Sequence, residues 1–248
     1  MRQICYLILF FSMSIFGQND ALFEKGKEQY KTEQYADAIV SWKKILDAGE
    51  HSEAVYFNLG NAYYKLNKIG PSIYYYEKAL QLDPDDKDVL TNLAFAENAR
   101  IDAIEPLPKT IFSKWYASIA NLFTFDGWAK LAILFIFLFV ISFLLYYFGT
   151  IERRKRSFFI ASMMSVFLFC GALTLAYLTS ADVEKDVPAI IFTESVEIKS
   201  APKMNSATAF ILHEGTKVQV EALDGDWLKI VIADGKDGWI PATDLKKL

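Results

Sequence analysis

The stretch that decides the architecture is GTIERRKRS at residues 149–157. It lies between two apolar stretches, residues 128–148 and 158–179. Each is about as long as the ~20 residues that an α-helix needs to cross a bilayer. Short loops rich in Lys and Arg stay in the cytoplasm. The sequence therefore predicts a two-helix transmembrane hairpin whose loop, residues 149–157, is cytoplasmic and whose two flanking regions lie on the opposite side.

The N-terminus provides a second argument for this orientation. Met1 and Arg2 precede an apolar run, Ile4–Phe16, which ends in a glycine before polar residues. This pattern is typical of a secretory signal peptide, which we predict for residues 1–17. An uncleaved N-terminal anchor is the alternative, because Ile15 is a poor residue for the cleavage site. Both alternatives export the residues that follow.

A 34-residue period relates two segments after this leader. When Gly26 is aligned with Gly60, Trp42 falls on Tyr76 and Tyr30 falls on Tyr64. The second copy contains AVYFNLGNAYYKL at residues 54–66 and resembles the tetratricopeptide repeat in its aromatic, Leu-Gly and small positions. The resemblance implies an all-α superhelix over residues 18–104, with a capping helix near residues 89–101.

Superhelices of this family commonly bind an extended peptide or a helix on their concave face, so the resemblance implies protein partners. Five residues on the first helices and the cap are predicted to contact a partner. They are Asn58, Asn61, Tyr64, Lys65 and Asn92. Most repeat aromatics are instead expected to pack between the helices of a repeat.

Residues 105–127 are predicted to link the repeats to the first span. Glu105-Pro-Leu-Pro108 ends the repeat helices, and apolar residues from Ile111 to Phe125 recur at helical spacing. Such an amphipathic helix lies either in the membrane interface or against the repeats, and the sequence favours neither alternative.

The hydrophobic period changes to two in the C-terminal region, residues 180–248. Apolar residues alternate with polar ones, and Asp-Gly pairs at 224–225, 234–235 and 237–238 predict turns. The order of these segments, with Gly238-Trp-Ile240 near the end, resembles the bacterial SH3-like family. The resemblance implies a small all-β barrel of five or six strands.

Domains of the SH3-like family often bind peptides, including those of the cell wall. The resemblance therefore makes Trp227 and Trp239 candidates for a recognition groove and peptidoglycan a candidate ligand. Packing inside the barrel is the alternative, and we favour it for Trp227 but not for Trp239.

The charged and reactive residues argue against several classes of function. Both soluble regions carry more acidic than basic residues, so neither predicts a nucleic-acid-binding surface. His51 and His213 have no companions at metal-ligand spacing, and Cys5 and Cys170 both lie in apolar stretches. The sequence contains no nucleophile elbow and no phosphate-binding loop. We expect no cofactor, no metal and no enzymatic activity.

The order of segments predicts a multidomain protein and resembles the aerotolerance-operon BatE family of Bacteroidetes. The join NLAFA at 92–96 followed by IEPLP at 104–108 is similar to the one in that family. The resemblance implies an inner-membrane and periplasmic assembly with von Willebrand type A proteins and a MoxR-type ATPase.

From this resemblance we expect a two-pass scaffold in the bacterial inner membrane, in contact with lipid, with both soluble domains periplasmic. The alternative is a cell-wall sensor or anchor that acts through the SH3-like domain.

Overall fold

The computed structural model describes residues 19–248 and divides them into two units. The first unit joins the residues up to Pro106 to the C-terminal residues Val187–Leu248. The second unit is Leu107–Asp186 and contains both long apolar helices. The signal peptide predicted for residues 1–17 lies outside the described residues.

The N-terminal part of the first unit is helical. Its helices are 19–31 (α1), Tyr35–Asp47 (α2), Glu53–Lys65 (α3), Ile69–Leu82 (α4) and Lys87–Asn98 (α5). Side-chain caps fix where two of them begin. Ser52 accepts a hydrogen bond from the N–H of Val55 at the start of α3. Asp86 accepts from the N–H groups of Asp88 and Val89 at the start of α5.

The two copies of the 34-residue pattern share a close approach between their helices. On the first helix of each copy a glycine faces an aromatic ring of the second helix. A Cβ on Gly60 would lie 2.6 Å from the Tyr76 ring, and a Cβ on Gly26 would clash with the Trp42 indole. Both rings are fully buried. The glycines therefore leave the space that these rings fill in a close-packed core.

The C-terminal part of the first unit is a seven-stranded sheet in which every pair is antiparallel. The strands are Pro188–Ile191 (β1), Ser195–Lys199 (β2), Thr208–His213 (β3), Lys217–Asp224 (β4), Trp227–Val231 (β5), Asp237–Pro241 (β6) and Leu245–Lys247 (β7). Their order is β3-β2-β6-β5-β4-β1-β7. The sequence predicted five or six strands. The terminal strands β1 and β7 are too short to show a clear alternation.

Two of the three Asp-Gly turns lie where the sequence predicted them. Gly225 and Gly235 have φ values of 57° and 87°, which suit glycine in a tight turn. Gly238 differs, because it lies inside β6 and is buried. A Cβ at Gly238 would lie 2.5 Å from Ile198, so this glycine is needed for packing across the sheet and not for a turn.

The second unit consists of a short helix and a helical hairpin. Its helices are Ile111–Ala120 (α6), Phe125–Phe148 (α7) and Glu152–Lys185 (α8). Ala132, early in α7, clusters with Ala172, late in α8. Tyr146, late in α7, contacts Phe159, early in α8, with ring centroids 5.5 Å apart. The two helices are therefore antiparallel, and each is long and apolar enough to cross a membrane.

The ends of α8 lie beyond the apolar stretch that predicted it. The helix begins at Glu152, inside the stretch 149–157 expected to be a loop, and continues to Lys185, past the expected end at residue 179. Polar residues at the ends of an apolar helix can continue its hydrogen-bond pattern. The helix stops shortly before Pro188, because the residue before a proline disfavours helical geometry.

The close approach at Gly60 can be tested by substitution. We expect Gly60→Ala to lower the free energy of unfolding by about 1–3 kcal/mol, because the added methyl overpacks the Tyr76 ring. Alanine also has a higher helix propensity than glycine, which stabilises the helix by about 1 kcal/mol. The cost of overpacking exceeds this gain, so the net effect is destabilising. Denaturant unfolding of the detergent-solubilised full chain, followed by near-UV circular dichroism, measures the change.

The matched control is Gln81→Ala, at an exposed position on α4. Its effect should stay within about 0.5 kcal/mol. Equal stability of Gly60→Ala and the unmodified chain would contradict the close packing of the two helices.

Candidate functional site

A polar pocket of about 230 Å³ opens where α1, α3, α4 and α5 come together. Its lining residues are Tyr30, Asn61, Tyr64, Lys65, Tyr76, Asn92 and Phe95. Asn61, Tyr64, Lys65 and Asn92 are four of the five residues that the sequence predicted to contact a partner. The fold thus brings together residues from two repeat copies and the cap, separated by up to 65 positions (from 30 to 95).

A hydrogen-bond network holds the floor of this pocket. The Tyr76 hydroxyl donates to Oδ1 of Asn61 at 2.7 Å, and Nδ2 of Asn92 donates to the same oxygen at 2.8 Å. Burial raises the pKa of the Tyr76 hydroxyl, so this group stays protonated and remains a donor. The network fixes the orientation of the Asn61 side chain.

Several hydrogen-bond donors that line the pocket have no partner in the part of the chain that the structure describes. Within residues 19–248, neither the Asn61 amide nitrogen nor the Lys65 ammonium has a hydrogen-bond or ion-pair partner. Tyr64 and Phe95 are 37% and 59% exposed and provide aromatic surface beside these donors. Amide and ammonium donors beside aromatic rings suit a carbonyl or carboxylate oxygen next to an apolar group.

Asn58 is placed differently from the other four predicted contact residues. It lies one turn before Asn61 on α3, outside the lining of the pocket. Its Nδ2 donates to the carbonyl oxygen of Ala54 at 2.7 Å, on its own helix. This bond occupies part of the amide, so Asn58 has less capacity to bind a partner than Asn61.

Three residues of the pocket, Tyr30, Tyr76 and Phe95, were not among the predicted contact residues, and Tyr76 was expected to pack between the helices of a repeat. Tyr30 had a detectable signal, because the 34-residue period places it on Tyr64. Phe95 falls in the segment 92–96 that we used only as a mark of the join to the linker. Its exposure on the cap helix α5 becomes apparent only when α5 is packed on α3 and α4.

A second candidate surface lies on the sheet. Trp227 on β5 and Trp239 on β6 alternate with buried residues of their strands, so both lie on the face away from the sheet's core. Trp227 pairs with Pro241 and Trp239 pairs with Lys229, which makes the two tryptophans diagonal neighbours. The packing inside the barrel that we favoured for Trp227 is therefore wrong. Both indoles are half-buried.

Lysines flank Trp239 on its two neighbouring strands. Lys199 and Lys229 are its direct cross-strand partners. The Lys229 ammonium donates to Glu221 and to Asp237, each at 3.0 Å, and these hydrogen bonds raise the pKa of Lys229. The face around Trp239 is consequently aromatic and polar, with its cations already paired.

The repeats and the sheet are joined by apolar packing. Ile190 of β1 is completely buried and belongs to the core of the helices. Phe192 lies edge-on to Tyr74 of α4, with ring centroids 5.5 Å apart. Gly215, in the β3–β4 turn, lies against Ile69 of α4 so closely that a Cβ would be 3.2 Å from it. Ile190 and Phe192 therefore extend the core of the helices, whereas the other buried residues of the sheet form a core of their own.

Asp102 connects the end of the helical region to the same turn. Its carboxylate accepts hydrogen bonds from the backbone N–H of His213 at 2.7 Å, from Nδ1 of His213 at 2.7 Å and from the Thr216 hydroxyl at 2.6 Å. Burial opposes ionisation of Asp102. The hydrogen bonds from Thr216 and His213 outweigh that effect and lower the pKa of Asp102. The carboxylate is thus ionised and fully bonded at neutral pH.

No pattern in the sequence indicates this contact between Asp102 and the β3–β4 turn. Asp102 is separated from His213 by 111 positions and from Thr216 by 114. In the sequence, His213 is a histidine without companions at metal-ligand spacing. Its partner could be identified only after the chain before and after the hairpin had been packed together.

These features define a class of protein in which helical repeats are joined to a small antiparallel β domain. Residues 53–86 match the family model of the tetratricopeptide repeat, and residues 193–247 match that of the bacterial SH3 domain. Both are typically non-catalytic domains, and the first of them mediates protein–protein interaction. No curated protein matches the chain.

Asp102 can be tested with an isosteric substitution. We expect Asp102→Asn to lower the free energy of unfolding at pH 7 by about 1–3 kcal/mol, because the buried Thr216 donor and the partly buried His213 donors lose a charged acceptor. The His213 backbone amide should also exchange with solvent faster. Denaturant unfolding and hydrogen exchange of the solubilised full chain measure these effects.

The pH dependence of this difference has a defined sign. The ordinary pKa of an aspartate is about 3.9, and Asp102 lies lower in the folded state. Its contribution to stability is therefore complete above that ordinary value and is lost as the pH falls through the lowered folded pKa. The wild-type and variant stabilities should converge in acid. Asp85→Asn, on an exposed loop, is the control and should show no such convergence.

Proposed function

We propose that this protein is a non-enzymatic, membrane-anchored scaffold that binds protein partners through its tetratricopeptide repeats. The observation that carries the proposal is the polar pocket, in which the Asn61 amide nitrogen and the Lys65 ammonium have no partner within residues 19–248. These groups suit the carbonyl or carboxylate oxygens of an extended peptide, and Tyr64 and Phe95 suit an apolar side chain beside it. The match of residues 53–86 to the repeat family supports the same function.

We further propose that α7 and α8 cross the bacterial inner membrane and that both soluble regions are periplasmic. The cations of residues 153–156 favour the cytoplasm for the hairpin loop. The packing of Ile190 in the core of the repeat helices requires the chain before and after the hairpin to be in one compartment. Two crossings satisfy this requirement.

The BatE-like order of segments supports a finer proposal. By this resemblance, the partners are von Willebrand type A membrane proteins in a system with a MoxR-type ATPase, and the complex serves aerotolerance or stress resistance. In this proposal, the peptide that enters the pocket is a segment of a partner protein and not of this chain.

The alternative proposal is a cell-wall sensor or anchor. One observation favours it, namely the aromatic face that Trp227 and Trp239 form on the outer side of β5 and β6. A half-buried indole beside lysine side chains suits the mixed apolar and polar surface of a peptidoglycan stem peptide. The match of residues 193–247 to the bacterial SH3 domain is compatible with this function.

Site-specific labelling tests both the orientation and the scaffold. Cys5 and Cys170 are first replaced by serine, and single cysteines are then introduced as Lys65→Cys in the pocket, Gln81→Cys outside it, or Arg154→Cys in the loop. In spheroplasts of the native host, a membrane-impermeant maleimide photocrosslinker should label the first two variants. Arg154→Cys should react only after lysis.

Illumination then tests the pocket itself. Lys65→Cys should give a discrete protein adduct, and Gln81→Cys should not, because residue 81 lies outside the pocket lining. Labelling of Lys65→Cys without any protein adduct would count against recruitment through this pocket. Labelling of Lys65→Cys only after lysis would instead contradict the periplasmic orientation.

The cell-wall alternative is tested by co-sedimentation of the solubilised full chain with purified peptidoglycan sacculi. If the alternative holds, Trp239→Ala should weaken binding about tenfold or more, as expected for loss of an aromatic anchor. Trp115→Ala, which removes an exposed tryptophan from α6, should leave binding unchanged. Failure of the unmodified chain to sediment with sacculi would eliminate the alternative.

A further inference from the structure

The start of α8, at the tip of the hairpin, holds four cations without an ion-pair partner among the described residues. Arg153, Arg154, Lys155 and Arg156 follow one another at the start of α8. None of their side chains forms an ion pair with a carboxylate in residues 19–248. The neighbouring carboxylate of Glu152 forms no ion pair with a cation in these residues either. This concentration of positive charge is complementary to an anionic ligand.

Two of these cations line a groove between the helices of the hairpin. The groove has a volume of about 400 Å³ and is lined by Tyr146, Lys155, Arg156, Phe159 and Ile160. The Lys155 ammonium lies 5.6 Å from the centre of the Tyr146 ring on α7. The Tyr146 ring in turn contacts Phe159. Both helices therefore build the groove and hold one of its cations in place.

The groove has a charged end and an apolar end. Phe159 and Ile160 lie one helical turn beyond Lys155 and Arg156, toward the apolar middle of α8. Phe159 is 47% exposed and Ile160 is 64% exposed, so their surfaces are available to a ligand. A ligand that fits this groove is anionic at one end and apolar at the other.

We propose that this groove binds an anionic phospholipid, with its phosphate at Lys155 and Arg156 and an acyl chain along Phe159 and Ile160. The inference rests on the membrane insertion proposed above. An arginine and a lysine together supply a bidentate donor and a point charge for one phosphate group. Basic pockets between helices on the cytoplasmic side of a membrane suit such headgroups.

The apolar end of the groove favours a lipid over free phosphate as the occupant. Inorganic phosphate would use only the two cations and would leave the aromatic and aliphatic surface uncovered. A lipid covers that surface and is present at high concentration beside an inserted helix. The apolar surface of the groove also continues into the exposed apolar surface of α8, for example at Met163 and Met164.

The loop provides a charge-matched control for the proposed site. Arg153 and Arg154 carry the same total charge as Lys155 and Arg156, but neither lines this groove. Lys155→Gln with Arg156→Gln removes the site, and Arg153→Gln with Arg154→Gln removes an equal charge elsewhere. Comparison of the two double variants separates a built site from general attraction to an anionic surface.

The test is native mass spectrometry of the purified full chain, released from nanodiscs of phosphatidylcholine mixed with phosphatidylglycerol of the same acyl chains. The unmodified chain should retain phosphatidylglycerol over phosphatidylcholine by roughly tenfold. Lys155→Gln/Arg156→Gln should abolish this preference, and Arg153→Gln/Arg154→Gln should keep most of it. Equal loss in both double variants would overturn the proposed site.

A second arm separates the lipid from its headgroup. Inorganic phosphate at millimolar concentration should not displace the retained phosphatidylglycerol, because it cannot occupy the apolar end of the groove. Displacement by phosphate would contradict the lipid assignment. Alkaline extraction of membranes monitors insertion in every variant. An extractable protein refutes the anchor itself, whereas an inserted protein without lipid preference refutes only this site.

Discussion

The packing of β1 against the repeat helices is the constraint on which the rest of the first unit depends. Ile190 is fully buried in the core of the helices, although the whole hairpin lies between the repeat helices and Ile190 in the sequence. Apolar burial of this kind is the main favourable term in folding. It requires the chain to leave the unit after Pro106 and to return to it at Val187.

Polar contacts then fix the relative positions of helices and sheet. The Asp102 carboxylate accepts hydrogen bonds from His213 and Thr216, and Glu214 accepts one from the backbone N–H of Gly70 at 3.0 Å. Apolar packing is nondirectional, whereas these bonds require one geometry. The pocket on the helices and the tryptophan face on the sheet therefore belong to one compact unit.

The sequence predicted what local pattern and composition determine. The period that aligns Gly26 with Gly60 identified the repeats, because the same contact between a glycine and a ring recurs in each copy. The alternation of apolar and polar residues around Leu228 and Ile230 identified a strand, because a strand with one buried face places every second side chain in the core. Contacts such as that between Asp102 and Thr216 had no pattern, since they join residues over 100 positions apart that the hairpin separates.

The polar pocket shows the same limit within a single helix. Asn58, Asn61 and Lys65 lie on one side of α3 at spacings of three and four residues, so the sequence grouped them together. The position of α5 separates them, because Asn92 meets α3 at Asn61 and not at Asn58. Helical spacing thus identifies the face that is available for contact. Which turn of that face becomes a pocket depends on where the neighbouring helix crosses it, and the packing of Val89 and Leu93 in the core of the helices positions that crossing.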